Sequence, residues 1–342
     1  MSLIEQFPYK REFIDPDKLW ENAVTLDLVT PQIIPMPDRN TQGGWRSLPP
    51  YIPWEFKPNP SVKAEPTAFV VLENTYDRVN KLVDYFSDEP RMEACRKGKP
   101  SPKDFYYAHY DELVREAQEL QKTDIHNLSF RYWLREAVYL NKAKVECTTF
   151  KVSVSKALFK YLGSKAVLDP SSGWGDRFLG AAAAQIPVYH GFDPNPRLRK
   201  AYDEMISFTM AKNPNITQGD YAITTVDFLK VELDNGFYDT VFTSPPYFDY
   251  EIYSMDSEQS VVQFPNLEVW INNFFLPYIN KCWNALAKGG YFCFYINDTK
   301  TGKYVGKMYN HVNKVLKGTF LGVMAITDEQ LSYGYPIWIW RK

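Results

Sequence analysis

Ala166-Val167-Leu168-Asp169-Pro170-Ser171-Ser172-Gly173-Trp174-Gly175-Asp176-Arg177 decides the fold of this 342-residue chain. Its apolar opening reads as a buried strand, the glycine-containing stretch as a loop, and Phe178 to Ala184 as the start of a helix. Glycines between a strand and a helix let backbone approach a ligand closely, and the helix N-terminus favours anionic groups. Strand, glycine loop and helix in this order read as the opening unit of an α/β fold.

The downstream chain extends that unit. Pro187 to Asp193 reads as a second strand ending in an acid, about 20 residues after the loop, where such folds bind ribose hydroxyls. A helix is predicted over Asn195 to Asn213, and a third strand near Ile216 to Asp220. Tyr238 to Thr243 is a further buried strand, and it runs into Ser244-Pro245-Pro246-Tyr247. Proline fixes φ, lacks an N–H and pushes the residue before it into an extended conformation. Ser244 and Pro245 are thus held extended, beside the flat ring of Tyr247. The result is a cradle suited to a planar heterocycle carrying an amino group.

The tetrapeptide resembles the catalytic motif of the amino-methyltransferases that modify N6 of adenine or N4 of cytosine in DNA. The 166–177 segment resembles the S-adenosylmethionine motif of the same enzymes, usually Asp-Pro-Phe-x-Gly-x-Gly, and departs from it at Ser171, Ser172 and Trp174. An exocyclic amino nitrogen is a poor nucleophile because its lone pair is delocalised into the ring. The Ser244 hydroxyl and Pro245 carbonyl are two acceptors for its hydrogens, which would draw it towards tetrahedral geometry. Tyr247 would stack on the base, with Pro246 stiffening the turn. Positioning then supplies much of the rate.

The resemblance covers roughly residues 147 to 342 and implies a Rossmann-like, mostly parallel seven-stranded sheet with helices on both faces. It implies S-adenosylmethionine as cofactor, held by Asp169, Ser171, Gly173, Trp174, Gly175 and Asp193. Asp220 and Asp227 are both candidates for the acid facing the cofactor's adenine, with Asp227 nearer the usual distance from the catalytic strand. Thr148 to Lys151, before a helix predicted over Val152 to Leu162, resembles the family segment that holds the methionine part. Phe248, Asp249 and Glu251 follow the tetrapeptide and are candidate substrate contacts. Asp256 to Gln263 reads as a loop without regular structure over the site. A helix from Leu267 to Leu286, closed by Gly289 and Gly290, then leads to a strand at Tyr291 to Ile296. A helix at Val305 to Leu316 and strands at Phe320 to Thr327 and Pro336 to Trp340 complete the expected sheet.

The length favours two domains, and 45% apolar residues suffice for a large core. Residues 1 to 66 read as a proline-rich extended arm, with Pro31 to Pro37 and Leu48 to Trp54 as irregular segments. Residues 67 to 146 read as a helical module, with helices at Tyr76 to Phe86, Asp104 to Lys122 and Asn127 to Leu140. Asp84-Tyr85-Phe86-Ser87, followed by Arg91-Met92 and then Ser101-Pro102-Lys103-Asp104-Phe105, resembles an upstream module seen with some phage-type methyltransferases. A net charge of −2 gives no overall field for nucleic acid, so any basic surface must be local. Candidate patches are Arg91 to Lys99 and the spread of Lys142, Lys144, Lys151, Lys156 and Lys160. Four cysteines without Cys-x-x-Cys spacing indicate neither a zinc site nor a disulfide framework, so no metal is expected. No cysteine follows a proline, which removes the nucleophile used to methylate carbon 5 of cytosine. With no signal peptide or membrane-spanning run, an intracellular, cytoplasmic setting is expected, with bacterial, phage or viral contexts open.

The expected function is methyl transfer to an exocyclic amino group of a DNA base that is flipped out or already single-stranded. Ser244 in the first motif position leans towards N4-cytosine. The same chemistry on RNA is the alternative, as is a methyltransferase fold retained as a binding subunit. No C-terminal target-recognition domain is expected, so residues 1 to 146 or the 250–265 loop would supply any sequence readout.

Overall fold

The computed structural model describes residues 4–26, 32–35, 67–72, 78–96, 98–141, 146–217, 219–250, 252–253, 257–327 and 334–342. Among them are nine strands: β1 (Gln32–Pro35), β2 (Thr67–Leu72), β3 (Ala166–Asp169), β4 (Val188–Phe192), β5 (Tyr221–Thr224), β6 (Tyr238–Thr243), β7 (Leu286–Tyr295), β8 (Thr319–Thr327) and β9 (Tyr335–Arg341). They form one sheet in the order β1-β2-β8-β9-β7-β6-β3-β4-β5. From β5 to β7 neighbours are parallel, while β9 runs antiparallel between β7 and β8. The seven strands from β5 to β8 are the expected Rossmann-like arrangement, doubly wound about β3 and β6.

Side chains alternate across the sheet, as the pleat requires. Val167, Phe242, Cys293, Ile337 and Ile339 face one core, with the helices Val152–Leu162 and Asp176–Ala183. Leu168, Val241, Phe292, Phe294, Trp338 and Trp340 face the other, against Trp270, Phe275, Ile279 and Trp283. Burial on both faces explains why the central strands read as continuous apolar runs.

The N-terminal region departs from the expectation. Residues 1–66 contain a helix, Pro16–Thr25, whose start is fixed by Asp15 Oδ1 accepting from the Asp17 and Lys18 amides at 3.1 and 3.2 Å. β1 and β2 extend the sheet to nine strands. β2 pairs parallel with β8, Phe69 opposite Met324, and β1 pairs antiparallel with β2. The stretch expected to be wholly helical therefore opens with a strand. Its helices are Lys81–Glu93, Pro102–Ala108, Tyr110–Gln121 and Phe130–Leu140. Trp20, Val79, Leu82, Val83 and Phe86 share the first sheet core, whereas Met92, Phe105, Tyr106, Leu113 and Leu134 form a third cluster with Phe7. Leu48 to Trp54 lies outside the described residues, as do Lys142 and Lys144.

Other boundaries also move. The third strand of the catalytic region is Tyr221–Thr224, beyond the predicted 216–220, because Asp220 is spent closing the preceding turn on Thr217. β7 starts at Leu286 and takes in Gly289 and Gly290, so the preceding helix ends at Ala285. That helix widens to a π-turn over Ile271–Phe275. Ser260–Gln263, expected without regular structure, forms a helical turn pinned by the Trp270 indole donating to Ser260 Oγ at 3.0 Å.

Candidate active site

The C-terminal ends of β3, β4, β6 and β7 open into one cavity of about 760 Å³, where open α/β sheets bind their ligands. Ser171, Gly173 and Trp174 line it from the loop after β3, and Asp193 and Asn195 from the loop after β4. Asp227 and Phe228 contribute from beyond β5, and Ser244, Pro245, Pro246 and Tyr247 from the end of β6. The two stretches singled out in the sequence therefore meet in space.

The glycine loop is held from several sides. Gly175, at φ +89°, begins the helix Asp176–Ala183, and a Cβ there would lie 2.4 Å from Met205 Sδ. Gly191 of β4 leaves room for Ser172 Oγ, which would stand 2.2 Å from a Cβ at that position. Ser172 N donates to the Phe192 carbonyl at 2.8 Å, and the Tyr202 hydroxyl donates to the Gly173 carbonyl. Ser171 Oγ lies 2.7 Å from the Tyr278 hydroxyl, whose pKa burial pushes well up.

Asp169 and Asp193 end adjacent strands and meet different fates. The Asp169 carboxylate is fully buried beneath the loop and does not line the cavity. Arg177 Nε donates to its Oδ2 at 2.8 Å and the Tyr189 hydroxyl to the same oxygen at 2.6 Å, while Oδ1 accepts from the Ser171 amide at 3.4 Å, so both oxygens are engaged within the protein. Asp193 does line the cavity. Its two oxygens accept the Gly173 and Asn195 amides, each at 3.0 Å, and burial raises its pKa to about 6 despite those bonds.

The two alternative acids separate. Asp220 is outside the cavity lining, its Oδ2 accepting from the Thr217 amide at 2.8 Å. Asp227 lines the cavity, with Oδ1 accepting from the Leu229 amide at 3.0 Å and Phe228 beside it. Thr148, Thr149, Phe150 and Lys151 also line the cavity. Lys151 precedes the helix Val152–Leu162, and that helix is capped from afar by Asn80 Oδ1, which accepts from the Val152 amide at 2.7 Å.

At the end of β6 the Tyr247 hydroxyl donates to the Tyr295 carbonyl at 3.1 Å, fixing the ring against β7. Phe248 turns away from the cavity, at φ +52°, and packs on Trp270 with ring centroids 5.7 Å apart. Asp249 is also outside the lining, with Oδ1 accepting from Thr301 Oγ1 at 2.6 Å. Glu251 lies outside the described residues. Gly175 acts on the loop's shape and is not part of the lining.

Some lining residues were not anticipated. Asn297, Asp298, Thr299 and Lys300 follow β7, and Asp298 Oδ1 accepts the Tyr304 and Val305 amides at 3.0 and 2.9 Å. Polar residues directly after an apolar parallel strand were the available signal. Pro90, Ala94 and Arg96 come from the N-terminal region, which no local pattern connects to the site. The supposed basic stretch from Arg91 is no solvated stripe, since Arg91 and Arg96 are both buried.

No protein-family model matches the chain, and no curated protein matches it. Among solved structures, the tRNA (m1A58) methyltransferase from Aquifex aeolicus is 13% identical, over 57% of this chain and 70% of that one, with a TM-score of 0.36. A SAM-dependent O-methyltransferase from Thermotoga maritima is 14% identical, over 61% and 70%, with a TM-score of 0.34. The M. jannaschii tRNA m1G37 methyltransferase is 14% identical, over 55% of this chain and 48% of that one, with a TM-score of 0.33. These likenesses concern the path of the chain and extend over little more than half of it. Among the described residues no helix is long and apolar enough to cross a membrane.

Proposed function

We propose that this chain transfers a methyl group from S-adenosylmethionine to an exocyclic amino group of a DNA base, N4 of cytosine or N6 of adenine. One observation carries the reading: the glycine loop after β3 and Ser244–Tyr247 after β6 line the same cavity. The residues present fit the cofactor. Asp193 faces the cavity as an acceptor for ribose hydroxyls, Asp227 as an acceptor for an adenine amino group, and Lys151 and Thr149 as polar groups for the amino-acid part. Bound there, S-adenosylmethionine supplies an electrophilic methyl carbon. Ser244 and the Pro245 carbonyl accept from the substrate amino group, localising its lone pair, and Tyr247 stacks on the base. The cavity walls set the direction of approach.

The test is transfer of labelled methyl groups to DNA and to RNA, followed by nucleoside analysis. Label on N4-methylcytosine or N6-methyladenine of DNA is the expected result; label on the same amino groups of RNA moves the substrate class while keeping the chemistry. Label on a ring nitrogen, on carbon or on no base overturns the reading. Ser244→Ala should abolish most turnover while leaving S-adenosylhomocysteine affinity within about twofold, because the hydroxyl acts on the substrate amino group.

A further inference from the structure

The cavity has a wall from outside the catalytic region, and that wall grips both of its loops. The Ser87 hydroxyl, fully buried on the helix Lys81–Glu93, donates to the Trp174 carbonyl at 2.7 Å. Trp174 stands between two glycines with positive φ, Gly173 and Gly175. Glycines place few limits of their own on backbone shape, so the peptide orientation here must be imposed by outside contacts. The Trp174 indole meets the Tyr253 ring at 5.6 Å, and both line the cavity. Tyr253 belongs to the chain beyond Tyr247. Its carbonyl accepts from the Cys95 amide at 3.1 Å, just past the end of the same helix. Pro90 and Ala94, between the two grips, form the cavity surface.

We propose that Ser87 is a positioning residue: through the Trp174 carbonyl it sets the glycine loop, and through the Trp174–Tyr253 contact it ties that loop to the segment following Ser244–Tyr247. The helix Lys81–Glu93 is then a clasp holding the cofactor half and the base half of the cavity together. The effect on cofactor affinity rests on the function proposed above; the clasp itself does not.

The experiment compares the full chain with its Ser87→Ala variant in two measurements. Hydrogen–deuterium exchange of the ligand-free protein should become faster in peptides covering 171–175 and 252–253, and stay unchanged across the helix Arg199–Lys212. Titration calorimetry should show S-adenosylhomocysteine bound about tenfold more weakly, the scale of one lost buried hydrogen bond. Thr209→Val is the control, since Thr209 is also buried and its hydroxyl donates to the Met205 carbonyl at 2.9 Å within one helix. It should lower the melting temperature comparably and leave affinity unchanged. Unchanged exchange in both loops of Ser87→Ala overturns the clasp, and so does a Thr209→Val variant that loosens the same loops. If the wild-type protein fails to bind S-adenosylhomocysteine, the proposed function falls, while the exchange measurement still decides the clasp.

Discussion

Two buried charge clusters hold the walls of the cavity, and they are built differently. Under the glycine loop a single guanidinium, Arg177, lies against Asp169 at 2.8 Å and Asp176 at 3.4 Å, all within one short stretch of chain. On the helix Lys81–Glu93, Asp84, Asp88 and Arg91 join Arg135 of the helix Phe130–Leu140 and Glu146, so three segments share one cluster. Lys10 adds a further cation, 2.8 Å from Asp84. The first cluster has one cation for two acids; the second has overlapping partners. Local construction makes the first cluster specific to the loop above it. Distributed construction makes the second a joint between segments, and gives it redundancy.

Substitutions can break that contrast. Arg177→Met should cost about 3–5 kcal/mol in urea unfolding, because Asp169 keeps a buried charge with no cation beside it. Arg135→Met should cost less, about 1–3 kcal/mol, because Arg91 still contacts both Asp88 and Glu146. Equal or reversed costs would remove the case for redundancy.

Asp193 sharpens the comparison between acids that face inward and acids that face the cavity. Its pKa is raised from 3.8 to about 6, so between those values the folded protein holds a proton that the unfolded chain has released. Stability of the ligand-free protein on this account falls as pH rises through that window. On the function proposed above, Asp193 accepts from ribose hydroxyls in its ionised form, so S-adenosylhomocysteine affinity should move the other way. It should weaken by up to about tenfold per pH unit below 6 and be flat above it. Calorimetric titrations from pH 5 to 8 check the slope, and an Asp193→Asn variant should lose it. The smallest effect is expected at Lys156, whose side chain is buried. Its ammonium donates to the Ala23, Val24 and Leu26 carbonyls at 2.7, 2.8 and 3.3 Å, closing the end of the helix Pro16–Thr25. Lys156→Met should cost about 1–2 kcal/mol, read from chemical unfolding.

What the sequence made legible was local. Strand, glycine loop and helix from 166 to 184 are contiguous, and the strand ending at Thr243 runs straight into its prolines. The place of Asp193 in the cavity lining is legible because an acid after the second strand has a fixed position in such folds. Asp169 looked equivalent, but Arg177 and Tyr189 turn its carboxylate inward, and only packing reveals that. Periodicity gave the helix Val152–Leu162 but not its cap, because Asn80 lies far away in the chain. The pairing of β2 with β8 and the clasp around Trp174 are equally non-local. Its neighbourhood in the chain puts Phe248 among the candidate substrate contacts; a positive φ redirects it onto Trp270.

The pairing of β2 with β8 has a bearing on how the molecule is made. Phe69 takes its place opposite Met324, so an early-synthesised strand must wait on the ribosome for its neighbour to emerge. Until then its hydrogen-bonding edge is exposed to other nascent chains. The assembly of the outer sheet is thus a late event of biosynthesis, and slow synthesis or crowding should penalise it before the central strands.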